Sequence, residues 1–118
     1  MSYVDGFVIA VPTANKAAYQ KVAEAMAPMF KDHGAISVVE CWGEDVPEGK
    51  VTSFPMAVKA KPDETVVFSW IVWPDKAARE SGMVAFMKDE RLKDMDPENM
   101  PFDGKRMIMG SFDMILQA

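Results

Sequence analysis

The sequence predicts a single α+β domain, in which helices pack on a four-stranded antiparallel sheet. Two observations lead to this fold class. Segments rich in β-branched and aromatic residues alternate with segments whose apolar residues recur at helical spacing, in the order strand, helix, strand, strand, helix, strand. The 118 residues also contain no internal repeat, low-complexity tract or linker, so we expect one domain over residues 1–118.

The chain begins with a predicted strand and a predicted helix. Residues 3–11 are apolar at nearly every position and end at Pro12, which is typical of a buried central strand. Thr13 can cap the helix that follows, and Gly34 supplies a stop signal at its end. Pro28 lies within this helix and removes one backbone hydrogen bond, so we expect a kink there.

The middle of the chain is predicted to add strands. Residues 36–42 form the second main strand, and the polar residues 43–53 form a loop. Residues 65–73 are the most apolar strand of the chain. We expect residues 56–60 to form a short strand that pairs with it as a hairpin.

The last part of the chain is predicted to contain a second helix and a final strand. Asp75 caps the helix, whose apolar side includes Phe86 and Met87. Residues 93–104 contain two prolines and several acidic residues and are predicted to form a loop. Residues 105–116 are predicted to form the last strand.

This order of elements is that of the ferredoxin-like fold, βαββαβ, which places the first and third strands at the centre of the sheet. Those are the strands that are apolar on both faces. Because two helices cover only one face, the other would expose a larger apolar patch than monomers usually carry. We therefore expect a homodimer whose two sheets face each other as a dimeric α/β barrel. The alternative is a lid formed by residues 43–56 or 93–104 of the same chain.

Composition narrows the classes of partner. The net charge of -5 argues against nucleic acid and anionic membranes as partners, and no apolar run approaches the ~20 residues that span a bilayer. Cys41 is the only cysteine, so no internal disulfide can form; we expect it to be a small buried residue of a cytoplasmic protein. With one histidine, one cysteine and no Gly-rich phosphate loop, we expect no metal and no cofactor.

Five segments carry a resemblance to a known family. They are YVDGFVIAVP, NKAAY, WGEDVPEGKVTSF, KPDETVVFSW and PFDGKRMI, in this order along nearly the whole chain. Together they resemble the YbaA-like family of uncharacterised bacterial proteins. The resemblance implies a dimeric α/β barrel of ferredoxin-like protomers, and it implies no established activity and no agreed catalytic residues.

One group of candidate site residues is predicted at one end of the barrel. The antiparallel topology places Asp5 there with His33, Trp70, Trp73 and Asp113. A carboxylate beside the only histidine would make an acid–base pair, so Asp5 and His33 are candidate catalytic residues. The structural alternative is that His33 stabilises the end of its helix and that Asp5 is solvated or bonded to backbone groups.

Further candidates lie on the predicted edge strands and strand ends. Glu40 and Arg106 occupy the two edge strands and could approach each other across a dimer, either as an ion pair between subunits or as anchors for a ligand. Trp42, Trp70 and Trp73 could stack on a ligand, although packing in the core is the more common role of tryptophan.

The sequence leads to one functional hypothesis and two alternatives. We expect a cytoplasmic homodimer that binds a small, partly apolar molecule, either between sheet and helices or between two sheets. The first alternative is a cofactor-independent enzyme, of the monooxygenase or isomerase kind, with His33 or Asp5 as its base. The second is a protein-interaction or stress-associated module without a pocket.

Overall fold

In the computed structural model, which describes residues 2–96 and 99–118, four strands form one antiparallel sheet in the order β2-β3-β1-β4. The predicted first and third strands are therefore the central ones, and the predicted topology is confirmed. The strands are β1 (Tyr3–Pro12), β2 (Ser37–Trp42), β3 (Glu64–Trp73) and β4 (Ile108–Asp113), and the helices are α1 (Lys16–Asp32), α2 (Phe54–Ala57) and α3 (Lys76–Met87).

The register of the sheet decides which side chains share a face. β1 pairs with β3 over its whole length, from Tyr3 opposite Trp73 to Pro12 opposite Glu64. Because side chains alternate along a strand, every second residue of each strand points toward α1 and α3, and we call this side the helix face. The residues between them point to the opposite side, which we call the open face.

The helices begin and end for identifiable reasons. Asp75 caps α3 as predicted, since its carboxylate accepts a hydrogen bond of 2.7 Å from the backbone N–H of Ala78. Thr13 does not cap α1. It begins a 3-10 turn over Thr13–Asn15 and its hydroxyl bonds to that of Thr65 at 2.7 Å, so the α-helix starts only at Lys16. α1 continues through Pro28, and Gly34 follows it with the positive φ of 109° that favours glycine.

The main core lies between the helix face and the two long helices. Trp73 is fully buried there, and the rings of Phe30 and Phe86 stack with their centroids 4.1 Å apart. Gly82 of α3 lies against this core, because a Cβ at that position would collide with the Trp73 ring and the His33 carbonyl. A residue that weakens a helix in isolation thus allows this helix to approach the sheet.

The predicted hairpin at residues 56–60 is wrong. The segment forms the short helix α2, in which Ser53 accepts a hydrogen bond of 3.1 Å from the backbone N–H of Met56 and Pro55 occupies the first turn. A capping serine followed by a proline favours a helix start, and this local signal prevails over the strand-like composition. After α2, Val58 packs on the open face against buried residues of β1 and β3, namely Val8, Ala10 and Val66.

Two other boundaries differ from the prediction. β4 is shorter than the predicted strand because Gly104–Arg106 forms a 3-10 turn and the chain leaves the sheet after Asp113. The predicted loop 93–104 includes part of the 3-10 turn Glu90–Asp94. Residues 97 and 98 of that loop lie outside the described residues.

Most of the open face remains uncovered in the single chain. α2 and Val58 cover one end, so the predicted lid exists only in part. Phe68 (46% exposed) and Ile108 border this covered end, and Phe112 (60% exposed) lies beyond it; all three side chains face outward. No helix within residues 2–96 and 99–118 is long and apolar enough to cross a membrane.

Candidate functional site

A cavity of about 190 Å³ lies between α1 and the helix face of the sheet, and we call it the inner cavity. Its wall is mostly aliphatic and aromatic, because it is formed by inward-pointing residues of the central strands and by the apolar stripe of α1. The polar residues of this wall are Tyr19, Glu40 and Ser69. The apolar residues that shape it include Phe7, Ile9, Met26, Phe30, Ile71 and Met107.

A second space of about 380 Å³ opens beside it, between α1 and the edge strand β2, and we call it the outer groove. Its wall is more polar and includes Lys16, Gln20 and Trp42. The inner cavity and the outer groove share wall residues, so the two spaces adjoin. The shared residues are Tyr19, Ala23, Ala27, Val38 and Glu40.

The polar boundary between the two spaces is a hydrogen-bonded pair, Tyr19 and Glu40, which we call the neck. The Tyr19 hydroxyl donates to Glu40 Oε1 at 2.6 Å. The register of the sheet explains the position of Glu40: it alternates with Val38 and Trp42 on the helix face of β2 and lies directly opposite Ser69 of β3. Tyr19 reaches the same place from the start of α1, where it is one of the buried residues of the helix.

The surroundings of the neck change the acidity of both groups. Burial raises the pKa of the Tyr19 hydroxyl, and the hydrogen bond to Glu40 together with the charge of Glu40 raises it further. Burial also raises the pKa of Glu40, against the hydrogen bonds from Tyr19 and Ser69, which lower it. Part of Glu40 faces solvent on the edge strand, whereas its bond to Tyr19 is part-buried. The neck thus contains a carboxyl group, that of Glu40, whose pKa is raised and which lies beside an apolar space.

The predicted pairing of Asp5 with His33 is not formed. Asp5 is 1% exposed beneath α3, where its carboxylate accepts hydrogen bonds from Trp73 Nε1 at 3.0 Å, from Arg79 Nε at 3.1 Å and from the Ser111 hydroxyl. His33 instead contacts Asp89 Oδ2 at 2.8 Å, at the point where the end of α1 meets the segment after α3. Each residue therefore has its own partner, and neither is among the residues that line the inner cavity.

The rest of the predicted cluster is also dispersed. Asp113 lies exposed at the end of β4 opposite Tyr3, and Trp70 lies opposite Gly6 on the open face, where its ring is 5.5 Å from that of Phe68. Only Trp73 of this group contacts Asp5. Asp113 shares the helix face with Asp5, whereas Trp70, near the same end of the sheet, points to the opposite face.

The three tryptophans have three different environments. Trp73 is fully buried in the core, Trp70 lies on the open face, and Trp42 lines the outer groove. Lys16 Nζ lies 5.5 Å from the centre of the Trp42 ring, a cation–π distance. A common stacking site is therefore excluded, and Trp42 is the tryptophan placed to report on the candidate site.

Arg106 is held by three groups of its own chain, Glu64, Asp103 and the Lys59 carbonyl. It lies in the 3-10 turn before β4, not on the edge strand, and its guanidinium forms a forked ion pair with Glu64 at 2.7 Å. It also donates to Asp103 Oδ2 at 3.0 Å and to the Lys59 carbonyl at 2.9 Å. Because Glu40 is bound to Tyr19 and Arg106 to these groups, the structure gives no support for a pair between them.

Cys41, predicted to be buried, is exposed in the single chain.

Two residues of the candidate site escaped the sequence analysis. Tyr19 is one of the apolar residues that recur at helical spacing in α1, and nothing in that pattern distinguishes it. Ser69 carried a usable signal, because it is the one small polar residue within the apolar run from Val66 to Trp73. A lone hydroxyl in a buried strand needs a partner, and that requirement pointed to a polar site.

Among the described residues, no group of three or more His, Cys, Asp or Glu is arranged to hold a metal ion.

Comparison with known proteins gives a family and a fold. The family model "Protein of unknown function (DUF1428)" matches residues 2–104. The uncharacterised protein YbaA of Escherichia coli strain K12 is 55% identical over 116 residues, which covers 98% of each chain, and the YbaA protein of Shigella flexneri matches equally well. These matches confirm the resemblance carried by the five segments.

A solved structure supports the fold independently. The crystal structure of a dimeric ferredoxin-like protein from an uncultured marine organism superposes with a TM-score of 0.62 and covers 99% of this chain and 98% of its own. Only 10% of the aligned residues are identical, so this likeness concerns the fold alone. It confirms the predicted ferredoxin-like architecture.

Proposed function

Because this chain belongs to the DUF1428 family of proteins of unknown function, we infer its role from its own site and propose that it binds a small, largely apolar molecule in the inner cavity. The observation that carries the proposal is a cavity with an apolar wall that adjoins an open groove at the Tyr19–Glu40 pair. Ligand sites in proteins commonly combine such a wall with a few polar groups that orient the ligand.

The physical basis of the proposed affinity is the burial of apolar surface. A ligand that enters the inner cavity removes apolar area from water, which stabilises the complex by roughly 25 cal/mol per Å². Filling the cavity also restores the van der Waals contacts that its wall otherwise lacks. The presence of the cavity favours ligand binding over the interaction module without a pocket.

The test is a substitution that fills the inner cavity with a larger side chain. Ala27 lines both spaces, so Ala27→Leu should abolish binding of small ring compounds such as toluene and 4-methylphenol, measured by isothermal titration calorimetry and by the tryptophan fluorescence to which Trp42 contributes. Ala25→Leu is the matched control, since Ala25 is an exposed residue of the same helix. Unchanged binding in Ala27→Leu, or no binding by the wild-type protein, would contradict the proposal. Ala23→Leu repeats the test should Ala27→Leu fail to fold.

If the protein is an enzyme, its candidate base is Glu40 rather than His33 or Asp5. His33 and Asp5, the bases considered from the sequence, do not line the cavity, whereas Glu40 lies at its neck with a raised pKa. A carboxyl group at this place can accept a proton from a bound molecule and return it. Proton exchange with solvent deuterium in a bound ligand, followed by NMR and lost in Glu40→Gln, is the observation that would favour an enzyme.

The proposal includes a homodimer formed through the open face. Phe68, Ile108 and Phe112 expose apolar surface there that a second copy would cover, and the ferredoxin-like protein of similar fold is itself dimeric. Sedimentation equilibrium should give twice the mass of the chain at micromolar concentration.

The exposed Cys41 thiol has no partner cysteine in the sequence, which supports a reducing compartment such as the cytoplasm.

A further inference from the structure

The size of the inner cavity limits what can enter it. A cavity of roughly 150 Å³ is sufficient to bind benzene in a protein core. The inner cavity measures about 190 Å³, so it fits a single six-membered ring with one or two small substituents.

The charges around the inner cavity determine the second property of the ligand. Among the described residues that line it, none is Lys, Arg or His, and Glu40 is the ionisable acid. Lys16 lies in the outer groove, above the Trp42 ring. A negatively charged group inside would therefore lose its hydration without gaining a counter-charge and would lie beside a carboxylate. Anionic ligands are disfavoured.

The hydrogen bonds of the neck determine the third property. The Tyr19 hydroxyl uses its single proton on Glu40, and Ser69 lies directly opposite Glu40 in the sheet, on the wall of the same cavity. An ionised carboxylate has about four lone-pair sites, so Glu40 keeps acceptor capacity even if both hydroxyls donate to it. The neck thus presents acceptors rather than donors, and a ligand gains most when it brings a donor of its own.

From these three properties we infer that the ligand is an uncharged single-ring molecule that carries a hydroxyl or N–H group. Its ring occupies the inner cavity and its donor binds the Glu40 carboxylate at the neck. This inference rests on the proposed function, since it specifies the ligand of the same site. A hydrogen bond to a charged group contributes about 1.5–3 kcal/mol, which corresponds to a preference of roughly 10- to 100-fold.

The test compares four compounds of similar shape by calorimetry: 4-methylphenol, 4-methylanisole, 1,4-dimethylbenzene and 4-methylbenzoate. The first carries a donor, the second only an acceptor, the third neither and the fourth a negative charge. After correction for partition between water and an apolar solvent, we expect 4-methylphenol to bind at least about tenfold more tightly than the other three.

Variants at the neck identify the group responsible. Glu40→Leu should bring the affinity for 4-methylphenol down to that for 1,4-dimethylbenzene. Glu44→Leu is the matched control, because Glu44 is exposed and lies outside the inner cavity, and it should retain the preference. Retained preference in a folded Glu40→Leu variant would overturn the inference.

The outcomes separate this inference from the proposed function. If all four compounds bind equally, or 4-methylbenzoate binds best, and Ala27→Leu abolishes that binding, the cavity is a ligand site but the inference about its ligand is wrong. If none of the compounds binds, or Ala27→Leu leaves their binding unchanged, both are wrong. Tight binding of 4-methylphenol that depends on Glu40 and on the size of residue 27 supports both.

Discussion

Two polar residues within apolar strands show how similar sequence signals lead to different roles. Asp5 in β1 is held by Trp73, Arg79 and Ser111 and stabilises the contact between α3 and the sheet. Ser69 in β3 lies at the neck of a cavity. The sequence marks both positions as exceptions to an apolar pattern, but the face and the partners of each residue depend on elements distant in the chain.

The ion pair of Asp5 gives a prediction for stability. Asp5→Asn should lower the free energy of unfolding by about 2–3 kcal/mol, because the part-buried Arg79 guanidinium would lose its counter-charge. Asp113→Asn, on the exposed end of the neighbouring strand, should change it by less than about 0.5 kcal/mol. Urea denaturation measures both. Equal effects of the two substitutions would show that the buried ion pair contributes no more to the free energy of unfolding than an exposed carboxylate does.

The raised pKa of Glu40 gives a prediction for pH dependence. A carboxyl group whose pKa is higher in the folded protein than in the unfolded chain stabilises the fold while protonated. This contribution is complete below the unfolded pKa and is lost as the pH rises through the folded one. Relative to Glu40→Gln, the wild-type protein should therefore lose stability as the pH rises above the usual titration range of glutamate and through the raised pKa of Glu40. The loss should be less than about 1 kcal/mol because Glu40 is partly solvated. A difference that stays constant over this range, in thermal denaturation of both proteins, would be inconsistent with the raised pKa.

At the scale of elements, long periodic segments were predictable and short ones were not. β1, β3, α1 and α3 follow from apolar patterns sustained over ten residues or more. α2 has four residues, too few for a period to appear, so its capping serine and its proline are the informative signals. β4 starts after a 3-10 turn whose Arg106 pairs with Glu64, a residue 42 positions away that no local pattern reveals.

The contact between α3 and the sheet gives a prediction at this scale. Gly82→Ala should destabilise the protein by about 1–3 kcal/mol, although alanine favours an isolated helix by ~1 kcal/mol, because the added methyl group meets the Trp73 ring. Gly104→Ala is the control, since a Cβ there has no neighbour within 4 Å. Thermal denaturation of the two variants is the measurement. A more stable Gly82→Ala protein would mean that α3 can shift without cost.

For the whole molecule, the proposed dimer depends on the open face. Phe112→Asp should yield a folded monomer, because a charged group would then have to be buried between the two sheets. Val84→Asp is the matched control: Val84 is 57% exposed, close to the 60% of Phe112, but lies on α3. Light scattering coupled to size exclusion gives the mass of each variant, and circular dichroism its fold. A Phe112→Asp protein that remains dimeric would show that the dimer interface does not include Phe112.

The architecture of the whole molecule was predictable, but the position of its candidate site was not. The topology follows from the order of elements and from the apolar central strands. The site depends on Tyr19 and Glu40, which are 21 positions apart and meet only because α1 packs across the sheet next to β2. The same packing separates Asp5 from His33, whose proximity was inferred from strand direction alone.

The helix α2 has a geometric consequence for any assembly. Since α2 and Val58 stand above the sheet at one end of β1 and β3, they act as a steric stop for an approaching molecule. Phe68 and Ile108 lie at the border of this covered end, opposite Val8, and Phe112 lies beyond it, opposite Val4. In the proposed dimer a second copy would therefore meet the sheet on the side of Phe112. The short helix α2, predicted from the sequence as a strand, thus favours an offset arrangement of the two sheets over a centred one.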